Sequence, residues 1–447
     1  MKEGVRSSNE SRWCATGLFP VRIGIAPSCD FFVDDRGYPF FWLADTVWSA
    51  FTNADFPEWE EYLEYRQKQG FNVLQINILP QHDASESDFE IFPFQKTADG
   101  RFDYSTFNEE YFRRVEKMLG MAKERGFIPA LVVLWSNYVG GTWLSRLRPQ
   151  DVIPFPQAMR YAEYVVEAFR KFHPVYIIGG DTDLESQEAV EYYLGALETI
   201  KTRDPQALTT IHLLGPAEPR YHLPEEIVNS PYLDFYMYQS GHGFDWVENP
   251  VALAQQFYRL PVKRPIVNGE PCYEGIGHER GRYGAADVRR AIWRSLLSGA
   301  KAGVTYGAHG IWSWHKRGKK WGVSWEGIVD FRYPFDWRTA LRFRGAWDVA
   351  FCRFVFEAFD LFDIEPEEGS IGQNQWIRIA TGKDKIVVYF PYAADVAIEK
   401  DLGEYRQFFL IDLEERVVAK PVLKYSNGKW QVAMSDFNSD ALLIGRK

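Results

Sequence analysis

Two acidic groups stand where chemistry would need them. Gly179-Gly180-Asp181 and Gly269-Glu270-Pro271 each follow a short apolar run, at residues 175–178 and 265–267. Such runs read as buried parallel strands, and glycine at their exit lets the backbone turn and leave a carboxylate at the rim of a sheet. Two carboxylates facing each other across a rim are the minimal equipment for glycoside hydrolysis: one serves as acid/base and the other as nucleophile or base. The acid must be kept protonated near neutral pH by burial or a neighbouring negative charge, and Glu270 supplies that charge to Asp181. Asp183 and Glu274 are the nearby competitors. Asp183 also reads as a cap for a helix beginning near Glu185, and Glu274 as a contact to a sugar hydroxyl or a loop backbone.

Further polar and aromatic residues fall at expected strand ends: Asp45, Asn77, Trp135, His212, Tyr238, Gln239, His242, Tyr306 and His309. Each is a candidate substrate contact or part of the network that orients the acidic pair. Tyr238 is expected beside the nucleophile, because a hydroxyl there stabilises the charged carboxylate. Asp45 and His309 are expected in a pocket for a terminal sugar, with Trp48, Trp135 and Trp312 as walls.

These residues need a frame. Strand patterns occur at residues 40–44, 71–78, 128–135, 175–178, 207–213, 233–238, 265–268 and 303–306, with helical periodicity between most of them. Alternation of this kind predicts an α/β fold with a parallel sheet, and eight units predict closure into a (β/α)₈ barrel whose C-terminal rim carries the chemistry. Residues 81–104 form a long polar and aromatic excursion, and loops of that length are usually functional. The first forty residues alternate around Asp34-Asp35-Arg36-Gly37 and read as a hairpin. Beyond residue 363 the helical period ends. Short strand patterns at 376–380, 386–390, 408–413 and 430–434, with a hairpin turn at Ser426-Asn427-Gly428, predict an antiparallel sandwich. The expected partition is 1–39 for the extension and hairpin, 40–362 for the barrel and 363–447 for the sandwich, the last a structural cap on the barrel.

Composition sets outer bounds. A chain of 447 residues exceeds what one core usually supports. A net charge of −10 argues against nucleic-acid and anionic-membrane partners, which call for a basic face. The 16 Trp and 24 Tyr supply flat faces for sugar rings, although most must serve the core. Cys14, Cys29, Cys272 and Cys352 lack CxxC spacing and read as free thiols. No signal-peptide pattern opens the chain and no apolar run approaches membrane length, so a cytoplasmic enzyme is the expectation. No metal or other cofactor is expected. There is no His-Glu-x-x-His for a zinc protease, no phosphate-binding Gly-x-x-x-x-Gly-Lys loop, and no Gly-x-Ser-x-Gly elbow.

In order along the chain, Asp45-Thr46-Val47-Trp48, Gly179-Gly180-Asp181, Gln239-Ser240-Gly241-His242, Gly269-Glu270-Pro271-Cys272-Tyr273-Glu274 and Tyr306-Gly307-Ala308-His309-Gly310-Ile311-Trp312 resemble the signature of the apiosidase-like glycoside hydrolases. Members are often labelled endoglucanases or collagenases. The resemblance spans about residues 30–314. It implies a barrel of the large retaining clan with the acid/base after the fourth strand, here Asp181, and the nucleophile after the seventh, here Glu270. It also implies a C-terminal sheet domain, nominally collagen-binding, whose characteristic Asp-Pro-Arg-Thr-Gly-like turn is replaced here by Leu410-Ile411-Asp412-Leu413-Glu414-Glu415. The expected activity is retaining hydrolysis of a terminal sugar from a plant-type glycan or oligosaccharide. The alternatives are an endo-acting β-glycanase with an open cleft and a catalytically silent carbohydrate-binding protein.

Overall fold

The structure is a computed structural model that describes residues 21–216, 220–242, 247–278, 281–321, 333–367, 376–433 and 437–447. Cys14, the start of the N-terminal alternating pattern and Met434 at the end of the last expected strand lie outside the described residues.

Eight parallel strands form the central sheet: β1 (Trp42–Thr46), β2 (Val73–Asn77), β3 (Ile128–Trp135), β4 (Val175–Gly180), β5 (Thr209–Thr210), β6 (Tyr236–Gln239), β7 (Ile266–Glu270) and β8 (Gly303–Tyr306). The ladder order is β5-β4-β3-β2-β1-β8-β7-β6, and a parallel bridge between His212 and Met237 joins its two ends. The sheet is therefore a (β/α)₈ barrel, as the alternation predicts. Its fifth strand is much shorter than the 207–213 pattern, because after Thr210 the chain makes single bridges rather than a continuous ladder.

Local signals fix the helices between the strands. The helix Phe56–Gln69 starts on a capping box in which Asp55 and Glu58 accept each other's backbone N–H. It stops at Gly70, whose φ of 90° is open to glycine at little cost. Its Trp59, Tyr62 and Leu63 are buried against the barrel. The excursion after β2 is not one loop. Its later part is a hairpin, Phe94–Lys96 with Phe102–Phe107, which packs on the outer helix Phe155–Phe169 through the stacked Phe107–Tyr164 pair 4.2 Å apart.

Ahead of the barrel, Ile23–Ile25, Phe32–Asp34 and Pro39–Phe40 make a three-stranded antiparallel sheet that contains the expected hairpin. Behind it, a six-stranded sheet faces a three-stranded one. Alternation along Lys385–Phe390 shows how they stack. Ile386, Val388 and Phe390 enter the sandwich core, while Val387 and Tyr389 join the barrel core. At the tip of the small sheet, Asn427 and Gly428 both have positive φ, 51° and 76°, the geometry of a type I′ turn.

Candidate active site

Glu270 ends β7 and is almost fully enclosed. Its Oε1 accepts from Gln239 Nε2 at 2.8 Å and from His242 Nε2 at 2.9 Å, and its Oε2 lies 3.3 Å from His212 Nε2. Backbone amides assign both tautomers. Tyr273 N donates to His242 Nδ1 at 3.1 Å, and Asp181 N makes a longer contact of 3.4 Å to His212 Nδ1. Each ring is thereby left with its proton on Nε2, aimed at the carboxylate. Burial opposes the charge on Glu270, but its interactions with His212 and His242 outweigh it and bring the carboxyl down to about 2.

Asp181, directly after β4, has the opposite environment. Burial raises its carboxyl well above the ordinary range, and the negative charges of Glu270 and then Asp83 raise it further. Its Oδ1 is buried without a hydrogen-bond partner among the described residues. The backbone of Asp181 sits at φ 55°, a left-handed conformation that costs a side chain about 1 kcal/mol or more and that Asp tolerates better than most. Its carbonyl is held by Trp143 Nε1 at 2.8 Å.

The neighbouring glycines act by their size. None of Gly179, Gly180 and Gly269 has positive φ. A Cβ on Gly180 would lie 2.1 Å from the Trp135 ring, on Gly179 2.5 Å from Tyr193, and on Gly269 2.4 Å from Met237. The expected glycine turn is replaced by close packing, with the turn taken by Asp181 itself.

Around the pair, Trp135 stacks on His212 at 6.1 Å and Trp48 meets both rings edge-on. Unpartnered buried polar atoms collect here: Asn77 Oδ1, Trp135 Nε1, Gln239 Oε1 and Trp312 Nε1 join Asp181 Oδ1. Buried groups of this kind cost free energy unless a ligand or water completes them. A polyhydroxylated ring is a ligand that offers both donors and acceptors.

The family described as Apiosidase-like, catalytic domain, matches residues 27–363. The chain belongs to the apiosidase-like family. It is accordingly a glycoside hydrolase. A solved structure titled "Glycoside hydrolase" is 20% identical with a TM-score of 0.76, covering 95% of this chain and 96% of that one. A glycoside hydrolase family 5 structure from Bacteroides vulgatus ATCC 8482 is 18% identical with a TM-score of 0.75, covering 95% of this chain and 92% of that one. At these identities the likeness is one of fold. No curated protein matches the chain.

Within this apiosidase-like barrel, several expected site residues face elsewhere. Strand alternation points Asp45 outward, where Tyr62 Oη and Arg66 Nε both donate to its Oδ2 at 2.6 Å; it anchors a helix and cannot line the sugar pocket. Tyr238 also points outward. It stacks on Phe257 and donates to the Pro250 carbonyl at 3.2 Å, so the expected hydroxyl beside Glu270 is not its own. That place belongs to Tyr273, whose phenol is raised by burial first and then by the Glu270 charge, and which donates to Thr46 Oγ1 at 3.2 Å. Glu274 Oε2 accepts from Tyr306 Oη at 2.6 Å and from Gly345 N at 2.9 Å, so these two expected contacts are bonded to each other and to the following helix. Asp183 accepts from Trp143 N, and the next helix is capped by Ser186 instead.

Gln239, His242 and His212 contact Glu270, Trp48 and Trp135 pack on His212, and Asn77 Nδ2 donates to Gln81 Oε1. His309 and Trp312 stack 5.8 Å apart on the loop after β8, beside Trp321. Sequence reading missed Tyr221, Trp321 and Asp83. Tyr221 Oη donates to the Gln239 carbonyl at 3.0 Å and holds that strand end in place. Asp83 left one signal, the polar triplet Gln81-His82-Asp83 immediately after β2 and Pro80.

Proposed function

We propose that this enzyme removes a terminal sugar from a plant-type glycan or oligosaccharide by double displacement, with retention of configuration. Glu270 is the nucleophile and Asp181 the acid/base. The observation that carries this reading is the opposite treatment of two neighbouring carboxyls: donors hold Glu270 charged, while burial and adjacent negative charge hold Asp181 protonated.

In the first step Glu270 attacks the anomeric carbon as Asp181 gives its proton to the departing glycosidic oxygen. Forming the glycosyl ester neutralises Glu270, which removes a charge that kept Asp181 protonated. Asp181 then accepts a proton from water as that water attacks the anomeric carbon and releases Glu270. Terminal rather than internal cleavage is supported by the enclosure: Trp48, Trp135 and Trp312 are no more than 4% exposed, which suits one ring at the end of a chain. Apiose is the sugar to which the family name points.

Nucleophile rescue tests the assignment. A screen of aryl pentosides and hexosides identifies a substrate. With Glu270→Gln, turnover should fall about 10⁴-fold or more, and azide should yield a glycosyl azide of inverted configuration. With Asp181→Asn, activated aryl glycosides should retain activity that natural glycosides lose, and azide should give the retained product. The reverse pattern would swap the roles, and full activity in both variants would refute them.

A further inference from the structure

The segment after β2 crosses the mouth of the barrel and is tied down on both sides. Tyr138 Oη donates to the Pro80 carbonyl at 2.8 Å, and Asn77 Nδ2 donates to Gln81 Oε1. Asn53 Nδ2 donates to the Ser85 carbonyl at 2.7 Å. From the loop after β8, Trp321 Nε1 donates to the Asp83 carbonyl at 3.2 Å, and Ser85 N donates to the Ser313 carbonyl at 3.1 Å. Asp83 is thus held in place through its backbone. Its side chain is only 16% exposed, and Oδ1 is buried with no hydrogen-bond partner among the described residues.

Among the described residues no lysine or arginine pairs with this carboxylate. Its ion-pair neighbour among the described residues is His82, 3.9 Å away, and burial lowers the basicity of that imidazole. The other two carboxylates fare alike: Glu270 has histidines alone as ion-pair partners among the described residues, and Asp181 has none recorded there. The ties of its loop place Asp83 next to the end of β2 at Asn77 and next to Trp321, which packs on His309 and Trp312. Burial raises the Asp83 carboxyl against His82 and a hydrogen bond from Gln81, with the Glu270 charge adding to the rise, and the charge of Asp83 in turn raises Asp181.

We infer that Asp83 binds a hydroxyl of the sugar in this site and, as an acidic group with no lysine or arginine paired to it among the described residues, selects an uncharged terminal sugar over a uronic acid. This rests on the proposal that Asp181 and Glu270 flank the scissile bond. A sugar hydroxyl supplies the donor that Oδ1 lacks, and a hydrogen bond to a carboxylate is among the stronger kinds. A uronate would add a further negative charge to an enclosure already holding Glu270, at a cost set by the low local dielectric. The fixed backbone means that little ordering remains to be done on binding.

The test uses the full chain, as wild type, Asp83→Ala and Asp83→Asn. Binding of free neutral pentoses and hexoses, and of glucuronate and galacturonate, is followed by ligand-observed NMR. Hydrolysis is followed on the 4-nitrophenyl glycosides of the same sugars. Wild type should bind a neutral sugar and exclude both uronates. Asp83→Ala should weaken that binding, and kcat/KM where there is turnover, by about 10- to 100-fold. Asp83→Asn preserves the volume and the backbone ties, so it separates loss of charge from collapse of the loop; it should bind the neutral sugar better than Asp83→Ala does and begin to admit uronates. The inference is overturned if Asp83→Ala binds the neutral sugar within twofold of wild type, if wild type accepts uronates equally, or if wild type binds none of these sugars. If neutral sugars bind through Asp83 and nothing is hydrolysed, the proposed roles of Asp181 and Glu270 on these glycosides fall and the role of Asp83 stands.

Discussion

Asp181 and Glu270 are both buried acids, and what separates them is the chemistry of their immediate neighbours. Glu270, at about 2, stays charged across the working range. The alkaline side of the rate profile should therefore follow loss of the proton from Asp181, and a profile of kcat/KM on an activated aryl glycoside should lose that limb in Asp181→Asn. A nearby acid gives a second pH effect. Glu274 is pushed up to about 7, by burial first, against the hydrogen bonds from Tyr306 and Gly345. Its folded value lies above its ordinary 4.5, so the stability it lends is complete below about pH 4.5 and is lost as pH rises through 7. Glu274→Gln keeps an oxygen that can accept from both donors. It should leave the melting temperature nearly unchanged at pH 5 and raise it at pH 8.

At the level of elements, the barrel brings residues from several strand ends to one place, and the fit between those strands is tight. Gly180 lets β4 lie against the Trp135 ring, and Gly269 leaves room for Met237 and the adjacent His212. In Gly180→Ala the added methyl must displace Trp135. The expected cost is about 1–3 kcal/mol in urea unfolding, together with reduced kcat/KM, because Trp135 also stacks on His212. A variant that unfolds like wild type with unchanged kinetics would show that the ring moves aside freely. Alternation along each strand accounts for the residues that turned away. Asp45 and Tyr306 lie opposite each other in register, and both face the helix layer, where Arg66 lies between them.

For the molecule as a whole, the C-terminal sheets are fastened to the barrel by a buried ion cluster. Arg289, 2% exposed, donates to Asp348 at 2.7 Å within the barrel and to Asp440 at 2.8 Å in the sandwich. Lys301 adds a clip to the Ile364 carbonyl at 2.8 Å. Arg289→Met strips a buried counterion from two carboxylates and should cost about 3–5 kcal/mol in calorimetric stability. Removing residues after 363 should leave a poorly soluble barrel, because the surface that packs against Val387, Tyr389 and Leu442 would then face water. A truncated chain equally stable but unable to retain a polymeric glycan would make the sandwich a binding unit. Among the described residues no helix is long and apolar enough to cross a membrane.

The sequence by itself determined the barrel, most of its strands and the appended sheets. Hydrophobic period, turn residues and the ordered motifs are local signals, and they survive without knowledge of contacts. Which side of a strand a polar residue faces is a matter of parity and bulge, and a one-residue difference sends Tyr238 to the helices and Gln239 to Glu270. Only the tertiary structure could decide that, and only it could bury Asp83 on the loop after β2 with its Oδ1 left unpartnered beside Trp321. The same holds for the two acids themselves. Their types are written in the chain, but the donors that charge one and the burial that protonates the other come from residues far apart in sequence, and electrostatics depends on distance in space.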